Sequence, residues 1–346
     1  MSKTDKIRDI REILVPPKPR VGFIGVGWIG RNRMDAVIES KLIEPYAIAD
    51  SELNLLHKAA ESASGAELYT DMDDLLDSNP DAVVIATPSA LHAEQTIKAL
   101  NKGAAVFCQK PLGRNSDEVV SVISAAKQNN KLLGVDFSYR FVSGVQKMRE
   151  LIMNEAIGKI YAVNLVFHNA YGPDKEWFYN PKLSGGGCII DLGIHLIDLA
   201  LWITGFPKIV NVTSKLFSQG KPFYPDDEDK VEDYAIARID LENDASLNLS
   251  CSWKLSAGYD AIIEASFYGT KGGLSMKNIN GSFYHFITEH YNWTAREVIA
   301  EPPENWGTGA ILNWTKKLTL NSGYDKEIEE VIKVTEVIDL IYNRNI

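Results

Sequence analysis

The chain has 346 residues, with 36 Lys and Arg against 46 Asp and Glu, for a formal charge of −10 at neutral pH. That length is roughly two domains at about 150 residues each; a hydrophobic fraction of 45 % with 24 % charged residues excludes a disordered, collagen-like or coiled-coil chain. The acidic balance, with no Lys- or Arg-rich run to override it, argues against nucleic acid as a partner.

A polar leader, residues 1–19, ends in Pro16-Pro17-Lys18-Pro19 and lacks the apolar core of a secretory signal. Short apolar runs then alternate with amphipathic segments. Val21 to Val26, Tyr46 to Ala49, Ala82 to Ala86, Ala105 to Cys108 and Leu132 to Phe137 read as buried strands. Ile29 to Glu39, Ser51 to Ala63, Ala90 to Asn101 and Ser116 to Asn129 read as the helices between them. This rhythm implies a doubly wound parallel sheet with right-handed crossovers, a Rossmann-type α/β domain over residues 20–140.

Beyond Arg140 the rhythm changes. A helical segment, Val142 to Asn154, leads into strand-like runs at Ile160 to Phe167, Ile209 to Leu216, Asp233 to Leu241, Ala245 to Trp253, Ala261 to Gly269 and Leu274 to Met276. Turn signals such as Glu242-Asn243-Asp244 and Lys271-Gly272-Gly273 separate them, and Tyr324 to Tyr342 closes the chain as a helix. Residues 141–346 are therefore expected to form a second α/β domain with an open, mainly antiparallel sheet, one face covered and the other wet or paired with another subunit.

The three cysteines, Cys108, Cys188 and Cys251, are too few and too scattered for a disulfide framework or a CxxC metal site. The most apolar long stretch, Ile189 to Phe206, is interrupted by Asp191, His195 and Asp198. A cytoplasmic protein with no membrane span and no resident metal is expected.

Gly25-Val26-Gly27-Trp28-Ile29-Gly30 follows the first strand and opens the first helix. In that context Gly25 permits the tight turn, Gly27 lets the backbone approach a pyrophosphate, and Gly30 lets helix and strand pack closely. Asp50, 20 residues past Gly30 at the end of the second strand, stands where an acid binds the adenosine ribose hydroxyls. Its carboxylate repels a 2′-phosphate, and Ser51-Glu52-Leu53-Asn54 contains no Arg or Lys, so NAD is favoured over NADP. A simple N-cap of the next helix is the alternative role for Asp50.

Thr87-Pro88 with His92, and Gln109-Lys110-Pro111, follow predicted parallel strands, at the edge where open α/β sheets bind ligands. There Lys110 is either a proton-exchanging or hydroxyl-polarising group or an exposed loop lysine. Downstream, Gly185-Gly186-Gly187 precedes a strongly apolar helix on which Asp191, His195, Asp198 and Trp202 fall on one stripe. That stripe suits an Asp-oriented general base, a metal site lacking a completing Cys or His, or a satisfied core histidine.

Taken in order, Gly25-x-Gly27-x-x-Gly30, Thr87-Pro88-x-x-x-His92, Gln109-Lys110-Pro111, Tyr139-Arg140-Phe141, Gly185-Gly186-Gly187 and Asp191-x-Gly193-x-His195 resemble the glucose-fructose oxidoreductase/inositol dehydrogenase/MocA family. The resemblance covers nearly all of residues 20–346. It implies an NAD(P)-dependent oxidoreductase acting on a hydroxyl-bearing carbon of a sugar, sugar derivative or cyclitol, and assembly as a homodimer or homotetramer. It implies His195 as the proton acceptor, Lys110 as a donor to the reacting hydroxyl and Asp191 as the group that orients the substrate and His195. It places the cofactor against Gly25, Gly27, Trp28, Ile29, Gly30, Asp50, Thr87, Pro88, His92, Gln109, Lys110 and Arg140. It places the substrate against Lys110, His168, Trp177, Lys182, Asp191 and His195. Gln109 departs from the glutamate usual in the family, which keeps open an alternative: a catalytically inactive dinucleotide-binding regulator or scaffold of the same fold.

Overall fold

A computed structural model describes residues 17–224 and 229–344; most of the polar leader lies outside the described residues. In the first domain the strands are β1 (Arg20–Ile24), β2 (Glu44–Ala49), β3 (Glu67–Tyr69), β4 (Ala82–Ile85), β5 (Ala105–Cys108) and β6 (Leu133–Val135). Helices α1 (Trp28–Glu39), α2 (Leu53–Ala60), α3 (Met72–Asp77), α4 (Ser89–Asn101) and α5 (Ser116–Gln128) connect them. The sheet is parallel, in the order β3-β2-β1-β4-β5-β6, so its strand order reverses between β1 and β4. All four residues of β4 and of β5 are buried, as a sheet covered on both faces requires. Phe23, Ile48, Val84 and Phe107 face Met34, Val37 and Leu56 on one side. Ile24, Val83, Ile85 and Val106 face Leu75, Leu100 and Val122 on the other.

The second domain begins with α6 (Ser143–Met153), β7 (Ile160–Asn169) and a short α7 (Pro181–Ser184). A π-type turn, Ile189–Gly193, runs into α8 (Ile194–Thr204), which stops at left-handed Gly205. Then follow β8 (Ile209–Ser218), β9 (Lys221–Phe223), β10 (Tyr234–Leu241), β11 (Ser246–Ser252), β12 (Ala261–Gly269), β13 (Gly273–Asn278), β14 (Phe286–Asn292) and β15 (Ala295–Ala300). Together with β7 these eight strands form one nine-stranded sheet, ordered β15-β14-β13-β12-β7-β11-β10-β8-β9. Only β7 and β11 pair in parallel; the other ladders are antiparallel. Strand β10 shows why one face is closed: Ala235, Ala237, Ile239 and Leu241 are buried while Ile236 and Arg238 are exposed. The run Pro181–Thr204 is long and apolar enough to cross a membrane, but 83 % of its most apolar window is buried in this core.

The boundary at residue 140 divides the sequence more cleanly than the packing. Helices α9 (Gly309–Leu320) and α10 (Glu330–Ile341) close the chain. Ala310, Ile311, Trp314 and Leu318 of α9 join the core of the first sheet, where the Trp314 ring lies 5.6 Å from Phe107. The Asp339 carboxylate of α10 accepts the Ser116 N–H at 2.7 Å.

A buried ion pair fastens α8 to the segment after β6. Arg140 donates Nε to Asp198 Oδ2 at 2.9 Å and Nη2 to Oδ1 at 2.6 Å, while Asp198 is 1 % exposed. Removing one partner of such a pair leaves an uncompensated buried charge. Asp198→Ala should therefore cost about 3–5 kcal/mol in denaturant unfolding; a loss below about 1 kcal/mol, the value of an exposed pair, would refute this role.

Candidate active site

One cavity of about 480 Å³ runs from the glycine turn, past the C-terminal ends of β4, β5 and β6, to the start of the α8 helical run. Its cofactor end is built by the glycines. Gly25 has φ +80°, and a Cβ there would lie 2.8 Å from the Ala86 carbonyl group; a Cβ on Gly30 would lie 2.0 Å from the Gly25 oxygen. A Cβ on Gly27 would meet nothing within 4 Å, so that position opens onto free space beside the first turn of α1. The N–H groups of that turn have no intrahelical acceptor, and no side chain caps it. Free donors, a positive helix end and an open glycine are what a pyrophosphate requires. Trp28, Ile29, Thr87 and Pro88 line the same end.

Asp50 braces this turn. Its Oδ2 accepts the Val26 N–H at 2.8 Å and its Oδ1 accepts the Glu52 N–H at 2.9 Å. It therefore fixes both the glycine loop and the entry to α2. His92 is a clip between strand ends: Nδ1 lies 2.6 Å from the Pro111 carbonyl and Nε2 2.7 Å from the Thr87 carbonyl. With both ring nitrogens so engaged, its part at the cofactor end is to set the shape of the wall.

Lys110 follows β5 and donates Nζ to the Asp191 carbonyl at 2.8 Å and to Asp191 Oδ1 at 2.7 Å. The other carboxylate oxygen accepts Trp253 Nε1–H at 3.1 Å. Asp191 sits in the π-type turn, where the Ile194 N–H reaches back to the Ile189 carbonyl. His195, in the first turn of α8, lines the same wall, with its ring 5.1 Å from that of Tyr139. Its Nδ1 is buried without a hydrogen-bond partner. Burial, followed by the nearby charges of Lys110 and Arg33, holds the imidazole pKa well below the usual histidine range. At neutral pH the ring is thus uncharged and able to accept a proton.

The expected stripe divides within α8: Asp191 and His195 reach the cavity, while Asp198 and Trp202 do not. Asp198 turns to Arg140, and Trp202 receives the guanidinium groups of Arg140 and Arg149 at 5.6 and 4.4 Å from its ring centroid. Arg140, expected at the cofactor, does not line the cavity; its guanidinium is directed to Asp198 in the second domain. The three-glycine run makes room for protein: a Cβ on Gly187 would lie 1.8 Å from the Glu232 carbonyl oxygen. The buried Glu232 carboxylate accepts the N–H groups of Gly187 and Ile189 at 3.0 and 2.9 Å, and the Tyr342 hydroxyl at 2.7 Å. It caps the helical run that carries Asp191 and His195.

Two expected substrate contacts lie elsewhere. His168 is on the open sheet face, 2.8 Å from Ser252 Oγ and stacked on Tyr234, because strand alternation points it away from the buried Phe167 side. Lys182 is exposed on α7 outside the cavity wall, where its backbone carbonyl accepts Arg114 Nη1–H at 2.5 Å. Trp177 does line the cavity, stacked on Phe178.

A second charged group lines the wall and was not anticipated. Asp136, one residue past β6, accepts Arg33 Nε–H at 2.6 Å, the Gln109 amide N–H and the Ser138 hydroxyl. Its place at the end of a parallel strand, the criterion that singled out Lys110, could have identified it. Tyr139, known from the sequence only as part of the Tyr139-Arg140-Phe141 motif, and Trp306, which sequence reading missed, complete an aromatic side with rings 4.8 Å apart.

Two family models match the chain: an oxidoreductase family with an NAD-binding Rossmann fold over residues 19–137, and the GFO/IDH/MocA C-terminal domain over residues 145–275. D-glucoside 3-dehydrogenase of Escherichia coli is 30 % identical over 269 residues, covering 74 % of this chain and 76 % of that protein. Myo-inositol 2-dehydrogenase of Thermotoga maritima is 26 % identical over 345 residues, covering 90 % and 99 %. A solved levoglucosan dehydrogenase complex with NADH and L-sorbose superposes with a TM-score of 0.80 at 21 % identity, covering 95 % of this chain and 96 % of that one. The chain belongs to the GFO/IDH/MocA family of oxidoreductases, with an NAD(P)-binding Rossmann domain.

Proposed function

We propose that the chain oxidises a hydroxyl-bearing carbon of a sugar, sugar derivative or cyclitol, or reduces the corresponding ketone, at the wall formed by Lys110, Asp191 and His195. The observation that carries this reading is the convergence of those three residues on one cavity with the open glycine turn. A dinucleotide held by the α1 N-terminus and Asp50 supplies the hydride acceptor or donor. The Asp50 carboxylate, with no Arg or Lys in Ser51-Glu52-Leu53-Asn54, favours NAD over NADP.

In the oxidation direction His195, neutral at the working pH, takes the hydroxyl proton as hydride leaves the same carbon. The Lys110 ammonium donates a hydrogen bond to the oxygen as negative charge grows on it. Asp191 holds Lys110 in place, and Trp253 holds Asp191. The faces of Trp177 and Trp306 suit the apolar faces of a sugar ring. Gln109 leaves this arrangement assembled, because its amide donates to Asp136 while Lys110 keeps its hydrogen bonds to Asp191. The reading includes a cytoplasmic location, supported by three free, buried cysteines, and pairing of subunits across the open sheet face.

Lys110→Ala should retain NADH binding, measured by fluorescence, and lose about 10²- to 10⁴-fold in kcat; an unchanged rate would overturn the mechanism. Asp50→Ala should weaken NAD binding about tenfold and narrow the preference over NADP; unaltered affinity would remove Asp50 from the cofactor site. Gln109→Glu would place a second carboxylate against buried Asp136. It should cost about 1–3 kcal/mol of stability at pH 8. The loss should shrink as pH falls, since protonation of the introduced carboxyl removes the repulsion. If only the glutamate variant turned over, the competence of the Gln109 site would be disproved.

A further inference from the structure

The charges on the cavity wall cancel residue by residue. Arg33 Nε lies 2.6 Å from Asp136 Oδ2, in a pair with side-chain exposures of 8 % and 1 %. Lys110 Nζ lies 2.7 Å from Asp191 Oδ1, with exposures of 18 % and 15 %. At the open rim Lys175 Nζ lies 3.4 Å from Asp174 Oδ2. Among the described residues these are the Lys, Arg, Asp and Glu side chains of the wall, and each cation has a carboxylate within 3.4 Å, the solvent-exposed rim pair of Lys175 and Asp174 being the loosest. Nearby cations outside the wall are engaged too: Arg114 with Glu118, Arg344 with Asp339, and Lys254 over the ring of Tyr179.

Backbone donors offer an anion no better alternative on the substrate side. The N-terminal turn of α1 and the Thr87-Pro88 entry to α4 lie at the cofactor end. The helical run bearing Asp191 and His195 begins at N–H groups already held by the Glu232 carboxylate. A phosphate or carboxylate held inside the cavity would thus face Asp136, Asp191 and an anionic cofactor with no buried cation of its own, or would draw Lys110 off Asp191 and dismantle the reacting group.

We propose that the site accepts uncharged sugars, glycosides or cyclitols and rejects their phosphorylated, nucleotidyl or uronate counterparts. This rests on the dehydrogenase reading above and narrows it. An uncharged polyol needs no counter-ion, only hydrogen bonds, which the ion-paired carboxylates and ammonium groups can still supply from unused lone pairs and protons. Its ring faces meet the aromatic side of the cavity.

The test compares matched compounds with the full-length protein and NAD: free sugars, methyl glycosides and cyclitols against the corresponding phosphates and uronates, by nicotinamide absorbance. The expected result is turnover of at least one uncharged compound with kcat/KM about 100-fold or more above its charged counterpart. The charged counterpart should also be a poor competitive inhibitor. Comparable or better turnover of a charged compound, or inhibition by it below the KM of its uncharged parent, would overturn the inference and leave the dehydrogenase reading intact. Absence of hydride transfer from every compound, in protein shown to bind NADH, would overturn that reading and this inference with it.

Discussion

The ion pair between Lys110 and Asp191 joins the two domains at the place where the chemistry is proposed. Lys110 comes from the carboxyl edge of the parallel sheet and Asp191 from a turn 81 residues later. Neither is free to move: Trp253 holds the far side of the carboxylate, and His92 ties the Pro111 carbonyl beside Lys110 to the end of β4. Desolvating two charges is costly, so the pair is a weak source of stability. Its value is geometric, since it fixes a cationic donor next to a neutral imidazole. The same cation helps to hold that imidazole neutral.

The rest of the wall follows one electrostatic logic. The chain carries a net charge of −10, yet its proposed cofactor is anionic. Backbone N–H groups at an uncapped helix start, not net charge, provide the local attraction. Elsewhere each buried cation is neutralised nearby, Arg33 by Asp136 and Arg140 by Asp198. Glu232 shows the converse: a buried carboxylate satisfied by three donors and used to close the N-terminus of the reacting helical run.

Much of this arrangement was legible in the sequence where a residue type has one dominant physical use. The three glycines around the start of α1 and the acid after β2 are such cases, as are the all-apolar runs of β4 and β5. Reading failed where a small geometric change redirects a side chain. On the run into α8, Asp191 and His195 reach the cavity while Asp198 is drawn to Arg140, so a regular helical stripe predicted shared surroundings that the protein divides. On β7, alternation sends His168 to the open face while Phe167 enters the core. The pair Arg33 and Asp136, 103 residues apart, and the return of α9 to the first sheet depend on tertiary neighbours that no local pattern encodes. Strands β14 and β15 lie at or beside the sheet edge, where exposed polar residues weaken the alternation that marks a strand.

The central claim is that His195, kept neutral by burial and by the Lys110 charge, accepts the proton during oxidation. The pH dependence of kcat/KM with a substrate that turns over tests it most directly, because it reports the ionisation of the group that must be unprotonated before substrate binds. A rising limb centred below the ordinary histidine value of 6.5, lost together with most of the activity in His195→Asn, is the predicted result. A limb at or above 6.5 that persists unchanged in His195→Asn would contradict the account.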